Sequence, residues 1–181
     1  SINPQPDQHL LEIGPGQAAL TDALAASGAQ LDCVELDRDL ARYLEQRFSG
    51  NDRVRIQQHN VLKFDISSLQ PEPHSLRIIG NLPYNISTPL LFHLLAQTPP
   101  PTDMVFMLQK EVVDRMGAAP GNGIYGRLSL MCQAKAEIAT LLAVPPTAFE
   151  PRPKVDSAIV RVTPRAESLV PAECEIRFDR V

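Results

Sequence analysis

Cysteine, basic charge at the start and long apolar runs are all scarce in this sequence. The three cysteines, Cys33, Cys132 and Cys174, are scattered, odd in number and without C-x-x-C spacing, which excludes an even disulfide framework and fits a reduced compartment. No apolar stretch approaches the roughly 18 residues of a membrane span, and no positively charged start precedes an apolar segment. The expectation is a soluble cytoplasmic protein with no membrane partner. Residues 1–37 contain no Lys or Arg but six acids, Asp7, Glu12, Asp22, Asp32, Glu35 and Asp37, so this part does not face a phosphate backbone. Over the whole chain 17 basic and 21 acidic residues leave a net charge of −4, which sets any nucleic-acid reading at a disadvantage if bulk charge were the attraction. His9, His59, His74 and His93 are also scattered, so no metal-ligating cluster is expected.

The 181 residues, with 44% hydrophobic and 21% charged, amount to about one domain able to bury a core. Short apolar runs at 10–13, 31–36, 76–79 and 104–108 alternate with helical spacing such as Leu20, Leu24 and Leu40, Leu44, Phe48. Runs of this kind are buried on both faces, which predicts a mostly parallel sheet covered by helices, with 54–57 as a further, more polar strand. Helices are expected over 89–97, with Thr88 as N-cap and Pro89 at the first helical position, and over 110–116 and 127–136. The stretches 138–144 and 158–162, joined through Pro145, Pro146, Phe149, Pro151 and Pro153 without room for a helix, predict an antiparallel pair. Residues 166–181 read as a polar tail.

The most informative stretch is Leu10-Leu11-Glu12-Ile13-Gly14-Pro15-Gly16, a strand entering a tight glycine turn before a helix. Gly14 and Gly16 let main-chain NH groups approach a bound nucleoside at the helix start. Glu35, at the end of the next apolar run, stands at the interval that places an acid on ribose hydroxyls. The third glycine of the dinucleotide fingerprint is missing, since Gln17, Ala18 and Ala19 follow. Glu12 would repel a pyrophosphate but could hold an ammonium group or a water network, which points to a cationic amino-acid ligand and not NAD. Asp37 and Asp39 can be read simply as acids that open a helix.

Gly80-Asn81-Leu82-Pro83-Tyr84-Asn85 follows the run 76–79 and so sits at a strand's carboxyl end, where open α/β sheets bind ligands. An exocyclic adenine amine is a poor nucleophile because its lone pair is delocalised into the ring. The Asn81 side-chain oxygen and the Leu82 carbonyl could each accept a hydrogen bond from that amine and favour a pyramidal nitrogen. Pro83 fixes φ and brings no competing NH. Tyr84 offers a face for the base, and stacked bases are worth about 1 to 3 kcal/mol. Phe149, in a proline-stiffened loop, could cover the other face.

These residues, with Gln109-Lys110-Glu111, Tyr125-Gly126-Arg127 and Phe149-x-Pro151-x-Pro153-Lys154-Val155-Asp156-Ser157, resemble the ribosomal RNA adenine dimethyltransferases that use S-adenosylmethionine, most closely the branch acting on bacterial small-subunit (16S) rRNA. The resemblance covers nearly the whole chain. It implies an α/β, Rossmann-like class I methyltransferase fold whose seven-stranded, mostly parallel sheet ends in an antiparallel strand. It also implies S-adenosylmethionine held by Glu12, Gly14, Gly16, Glu35, Asn60 and Asn81, and a target amine held by Asn81, Leu82, Pro83 and Tyr84 with Phe149 on the base. The family usually has an Asp where Asn60 stands, which weakens that bond to the cofactor's adenine. Compared with the family, residues 1–165 look like the catalytic domain without the segment that precedes its first strand, and 166–181 like a lead into a C-terminal helical domain. The implied partner is 16S rRNA in the small subunit, and the implied state is monomeric.

Three other readings remain. A large-subunit rRNA methyltransferase of the macrolide-resistance type shares the turn and the Phe loop. A non-catalytic RNA-binding assembly factor could keep the fold, although intact Asn81 and Glu35 argue against lost chemistry. A hydride-transferring dehydrogenase is disfavoured by Pro15 and Ala18 and by the lack of a placed His with an acid partner.

Overall fold

The computed structural model describes residues 2–69, 75–83, 85–150 and 152–170. His74, Tyr84, Pro151 and Cys174 lie outside the described residues, as does most of the tail after 170. The chain forms two compact units, 1–82 with 97–105, and 83–96 with 106–181.

In the first unit the apolar runs become β1 (His9–Ile13), β2 (Gln30–Glu35), β3 (Val54–Gln58) and β4 (Leu76–Asn81), separated by α1 (Thr21–Ala25) and α2 (Arg38–Arg47). β1 pairs in parallel with β2 and β4, and β2 with β3. β1 is buried along its whole length and β4 through Gly80, as continuous apolar strands require. Leu10, Leu31, Cys33 and Ile79 form a core cluster with Leu24 of α1 and Ala29. Asp37 caps α2, its carboxylate accepting from Asp39 N and Leu40 N at 2.8 and 3.0 Å. That agrees with the helix-opening reading, and the two bonds hold the Asp37 carboxyl below its ordinary range.

The second unit contains α3 (Ser87–Leu95), most of β5 (Asp103–Gln109), α4 (Lys110–Met116), α5 (Arg127–Lys135), β6 (Ala136–Val144) and β7 (Ser157–Pro164). β6 and β7 are antiparallel, with a register shift between Thr140 and Leu142. Gln133 of α5 donates to the carbonyls of Met116 and Ala118, both at 2.8 Å, satisfying the end of α4. Lys110 N donates to the Asp156 carbonyl at 2.9 Å, tying the proline-rich loop to the start of α4. The seven strands hydrogen-bond in the order β3-β2-β1-β4-β5-β7-β6.

Most boundaries fall within two residues of expectation, and the start of α3 changes its cap. α3 starts at Ser87 with Ile86 as N-cap, so Thr88 is not the cap and Pro89 is not the first helical residue. Ile86 N bonds the Pro83 carbonyl at 3.2 Å and Leu90 N bonds the Ile86 carbonyl at 2.9 Å, so the turn at Pro83 winds the helix earlier. Pro89 is still in the first turn, where no intrahelical NH is needed.

Two buried polar clusters in the first unit escaped the sequence reading. Arg77 meets Asp103 with two bonds, at 2.7 and 3.0 Å, and donates to the Ile2 carbonyl at 2.8 Å, which pins the chain start to β4. His9 Nε2 lies 2.6 Å from Asp32, whose other oxygen accepts from Gln57 at 3.1 Å. Removing one member of a buried ion pair strands the other, at about 3 to 5 kcal/mol. Arg77→Ala should therefore lower unfolding stability by about that amount in a denaturant titration, while Arg77→Met with Asp103→Leu should recover most of the loss.

Candidate active site

Parallel register decides what meets at the carboxyl edge of the first unit. Ile13 pairs with Val34 on one side and Gly80 on the other, so the next residues, Gly14, Glu35 and Asn81, stand level at the ends of three adjacent strands. β3 joins them through the pairing of Glu35 with Gln58, two residues before Asn60. Gly80 makes this packing possible: a Cβ there would sit 2.9 Å from the Ile13 carbonyl oxygen. The sequence reading gave Gly80 no role, and its signal was a glycine inside an apolar strand.

Gly14 and Gly16 have φ of 66° and 56°, and space above both is open, with nothing within 4 Å of where a Cβ would be. Ala18 also adopts a positive φ, 70°, a conformation that costs a residue with a side chain, whereas the dinucleotide fingerprint's third glycine would fall one residue later, at Ala19. Three of the turn's amides are already engaged. Gly14 N bonds the Val34 carbonyl at 3.0 Å, Gly16 N bonds Glu35 Oε2 at 3.2 Å, and Ala18 N bonds the Pro15 carbonyl at 3.0 Å. A pyrophosphate would need these donors, so the turn does not suit a dinucleotide.

Glu35 is buried, and its second oxygen accepts from Asp37 N at 3.0 Å. A carboxylate accepts about four hydrogen bonds, which leaves capacity for two ligand hydroxyls. Leu36, next along, is 66% exposed, an apolar face beside the acid that the sequence reading passed over. Asn60 uses its side-chain oxygen to cap Leu62 N at 3.0 Å, and its second lone pair can still accept. His59 is exposed and edge-on to Phe64, as expected of a surface neighbour.

Glu12 is 2% exposed. Burial pushes its carboxyl up from 4.5 to about 7, the nearby Thr21 hydroxyl and Cys33 thiol pull back, and the Asp22 and Glu35 carboxylates add a smaller push. The Cys33 thiol donates weakly to Glu12 at 3.8 Å, whereas Thr21 Oγ1 is buried without a hydrogen-bond partner of good geometry. Burial also raises the Cys33 thiol, and that of Cys132 to about 12, so neither is a nucleophile. Open space over positive-φ glycines, a carboxylate with spare acceptors and an uncompensated buried acid fit a nucleoside carrying a cationic amino-acid group.

Asn81 is exposed at the tip of β4, and the Leu82 side chain, 1% exposed, anchors the bend behind it. These two belong to the first unit together with Gly14, Gly16, Glu12, Glu35 and Asn60. Pro83 and Phe149 belong to the second, Pro83 exposed and Phe149 half-buried in the loop after the short turn Pro146–Ala148. Among the described residues no three His, Cys, Asp or Glu form a metal-binding group, and no helix is long and apolar enough to cross a membrane.

A model of the ribosomal RNA adenine dimethylase family matches residues 1–181. A Pseudomonas putida protein named ribosomal RNA small subunit methyltransferase A is 53% identical over all of the chain, which covers 68% of it. One of the same name from Hahella chejuensis is 52% identical over 92% of the chain, covering 61% of that relative. Among solved structures, a dimethyladenosine transferase from Plasmodium falciparum is 28% identical with a TM-score of 0.76, over 89% of this chain and 57% of that one. The 23S rRNA methyltransferase ErmE is 29% identical with a TM-score of 0.78, over 97% and 69%. Fold and site together define a Rossmann-like, S-adenosylmethionine-dependent methyltransferase. The chain belongs to the ribosomal RNA adenine dimethylase family, enzymes that methylate rRNA.

Two outcomes test the cofactor side. Glu35→Ala removes a charge-assisted acceptor worth about 1.5 to 3 kcal/mol per bond, so calorimetric titration should show S-adenosylmethionine binding weakened by about tenfold or more. The raised carboxyl of Glu12 favours the fold below pH 4.5, and that contribution is lost as pH rises through about 7. Glu12→Gln should therefore gain stability over the wild type between pH 5 and pH 8, by about 2 to 3 kcal/mol in denaturant titrations of the free protein.

Proposed function

We propose that this protein dimethylates the exocyclic amine of adenosines in small-subunit (16S) rRNA. The carrying observation is the level placement of Gly14, Glu35 and Asn81 on three neighbouring strand ends. S-adenosylmethionine supplies a methyl group made electrophilic by its sulfonium. In this reading Gly14 and Gly16 admit the methionine and ribose part, Glu35 accepts from the ribose hydroxyls, Glu12 faces the ammonium side, and Asn60 accepts from the cofactor's adenine amine. Leu36, apolar and exposed next to Glu35, offers a face to that adenine.

The Asn81 side-chain oxygen and the Leu82 carbonyl accept from the target amine and hold its nitrogen pyramidal. This bias exists only as the bond to carbon forms, so it acts on the transition state. Asn81 also borders the cofactor. Pro83 keeps the bend rigid, and Tyr84 and Phe149 supply the aromatic faces for the base. A monomethylated amine still has one N–H, so the same acceptors serve a second transfer. The small-subunit target follows from the 53% identity to ribosomal RNA small subunit methyltransferase A, against 29% to the 23S enzyme. We take residues 1–165 as the catalytic portion, 166–181 as a link onward, and the protein as a cytoplasmic monomer meeting its substrate on the ribosomal subunit.

The test is to incubate the protein with labelled S-adenosylmethionine and small subunits lacking dimethyladenosine, then map the product. Label in dimethyladenosine of the small-subunit rRNA is expected. Label only in large-subunit rRNA, or none, would reject this reading. Asn81→Ala should slow transfer by about 10²- to 10³-fold, the usual loss for one transition-state hydrogen bond, with cofactor affinity kept within several-fold.

A further inference from the structure

Glu12 is surrounded by groups that compensate a charge only weakly. α1 presents Thr21 and Asp22, β2 presents Cys33 and Glu35, and Ile79 of β4 stands opposite in register. None of these is cationic, the two acids repel a carboxylate, and Asp22 is already taken by Arg47 at 2.7 Å. The amides just beyond Glu12 give no help either, since Gly14 N is bonded to Val34 and Gly16 N to Glu35. Thr21 Oγ1, fully buried beside the acid, finds no partner of good geometry among the described residues and relieves the carboxyl only in part. An ionised carboxylate in such a place is unstable until a cation or a set of donors arrives.

Resting on the reading that this turn holds S-adenosylmethionine, we propose that Glu12 is a neutral carboxylic acid in the free enzyme and ionises when the cofactor's ammonium group enters, so that filling the site expels a proton. The proton on the Glu12 carboxyl passes to solvent, and the carboxylate left behind pairs with the ammonium. Cofactor affinity then falls with acidity, because below neutrality the site must first give up its proton. Proton and cofactor compete for one oxygen pair.

Calorimetric titration of the protein with S-adenosylmethionine, in buffers of different ionisation enthalpy across pH 6 to 8, reads the protons exchanged. With the carboxyl half-protonated near pH 7, about half a proton should leave per cofactor at that pH and close to one at pH 6, where the cofactor's own amine is already protonated. Affinity should drop by up to about tenfold per pH unit on further acidification. 5′-Methylthioadenosine, which keeps the nucleoside but has no ammonium, should bind without proton release, and Glu12→Gln should bind the cofactor without it. Normal binding with no buffer dependence at pH 6, release that persists in Glu12→Gln, or release on binding methylthioadenosine overturns the proposal and leaves the cofactor site standing. Failure to bind S-adenosylmethionine at any pH overturns both.

Discussion

The bond from Gly16 N to the Glu35 carboxylate joins the two halves of the cofactor side, because it ties the turn after β1 to the end of β2. A glycine turn with open space above it is a floppy element on its own, since two positive-φ residues lose much entropy on ordering. The carboxylate fixes it by taking one amide from the turn and one from Asp37 at the start of α2. The same oxygens then face the crevice with lone pairs to spare. One side chain thus holds the turn and keeps acceptor capacity, and the Gly16 amide it binds is not available to a phosphate.

Around this clamp the first unit separates its charges by edge. Near the chain start, Arg77 with Asp103 and His9 with Asp32 are paired and buried, and they hold elements together. At the carboxyl edge, Glu12 is buried with no cation beside it among the described residues, and Thr21 meets it only in poor geometry. A fold under selection for stability alone would fill that place with an apolar pair, since uncompensated polar groups cost free energy. Keeping an acid there makes sense where a ligand brings the missing charge. Under the proposed mechanism Asn81 and Leu82 work on the opposite principle, as neutral acceptors that attract no cation of their own.

Much of this was legible from order along the chain. Four apolar runs marked β1, β2, β4 and β5 because strands buried on both faces are mainly apolar, whereas the more polar β3 and the proline-joined β6 and β7 were read from weaker patterns. Glu12, Gly14, Gly16, Glu35 and Asn81 announced themselves by their position near strand ends. The start of α3 was misplaced because Pro89 is equally acceptable anywhere in a first turn, and the bond from Ile86 N to Pro83 decided it. Arg77, Asp103, His9 and Asp32 looked like ordinary polar residues, since pairing across 23 or 26 positions leaves no local pattern. Leu36 was counted as a strand residue although it is exposed beyond the end of β2.

The linear sequence by itself determined the parallel α/β architecture and the identity of the chemical groups, because periodicity and glycine placement are local properties. Tertiary structure decided their relations: that Gly14, Glu35 and Asn81 are level, that Gly80 must lack a side chain for β4 to approach Ile13, and that Glu12 lies buried beside Asp22 and Glu35. Register, close approach and local dielectric arise only when distant segments pack, so no window of neighbouring residues contains them.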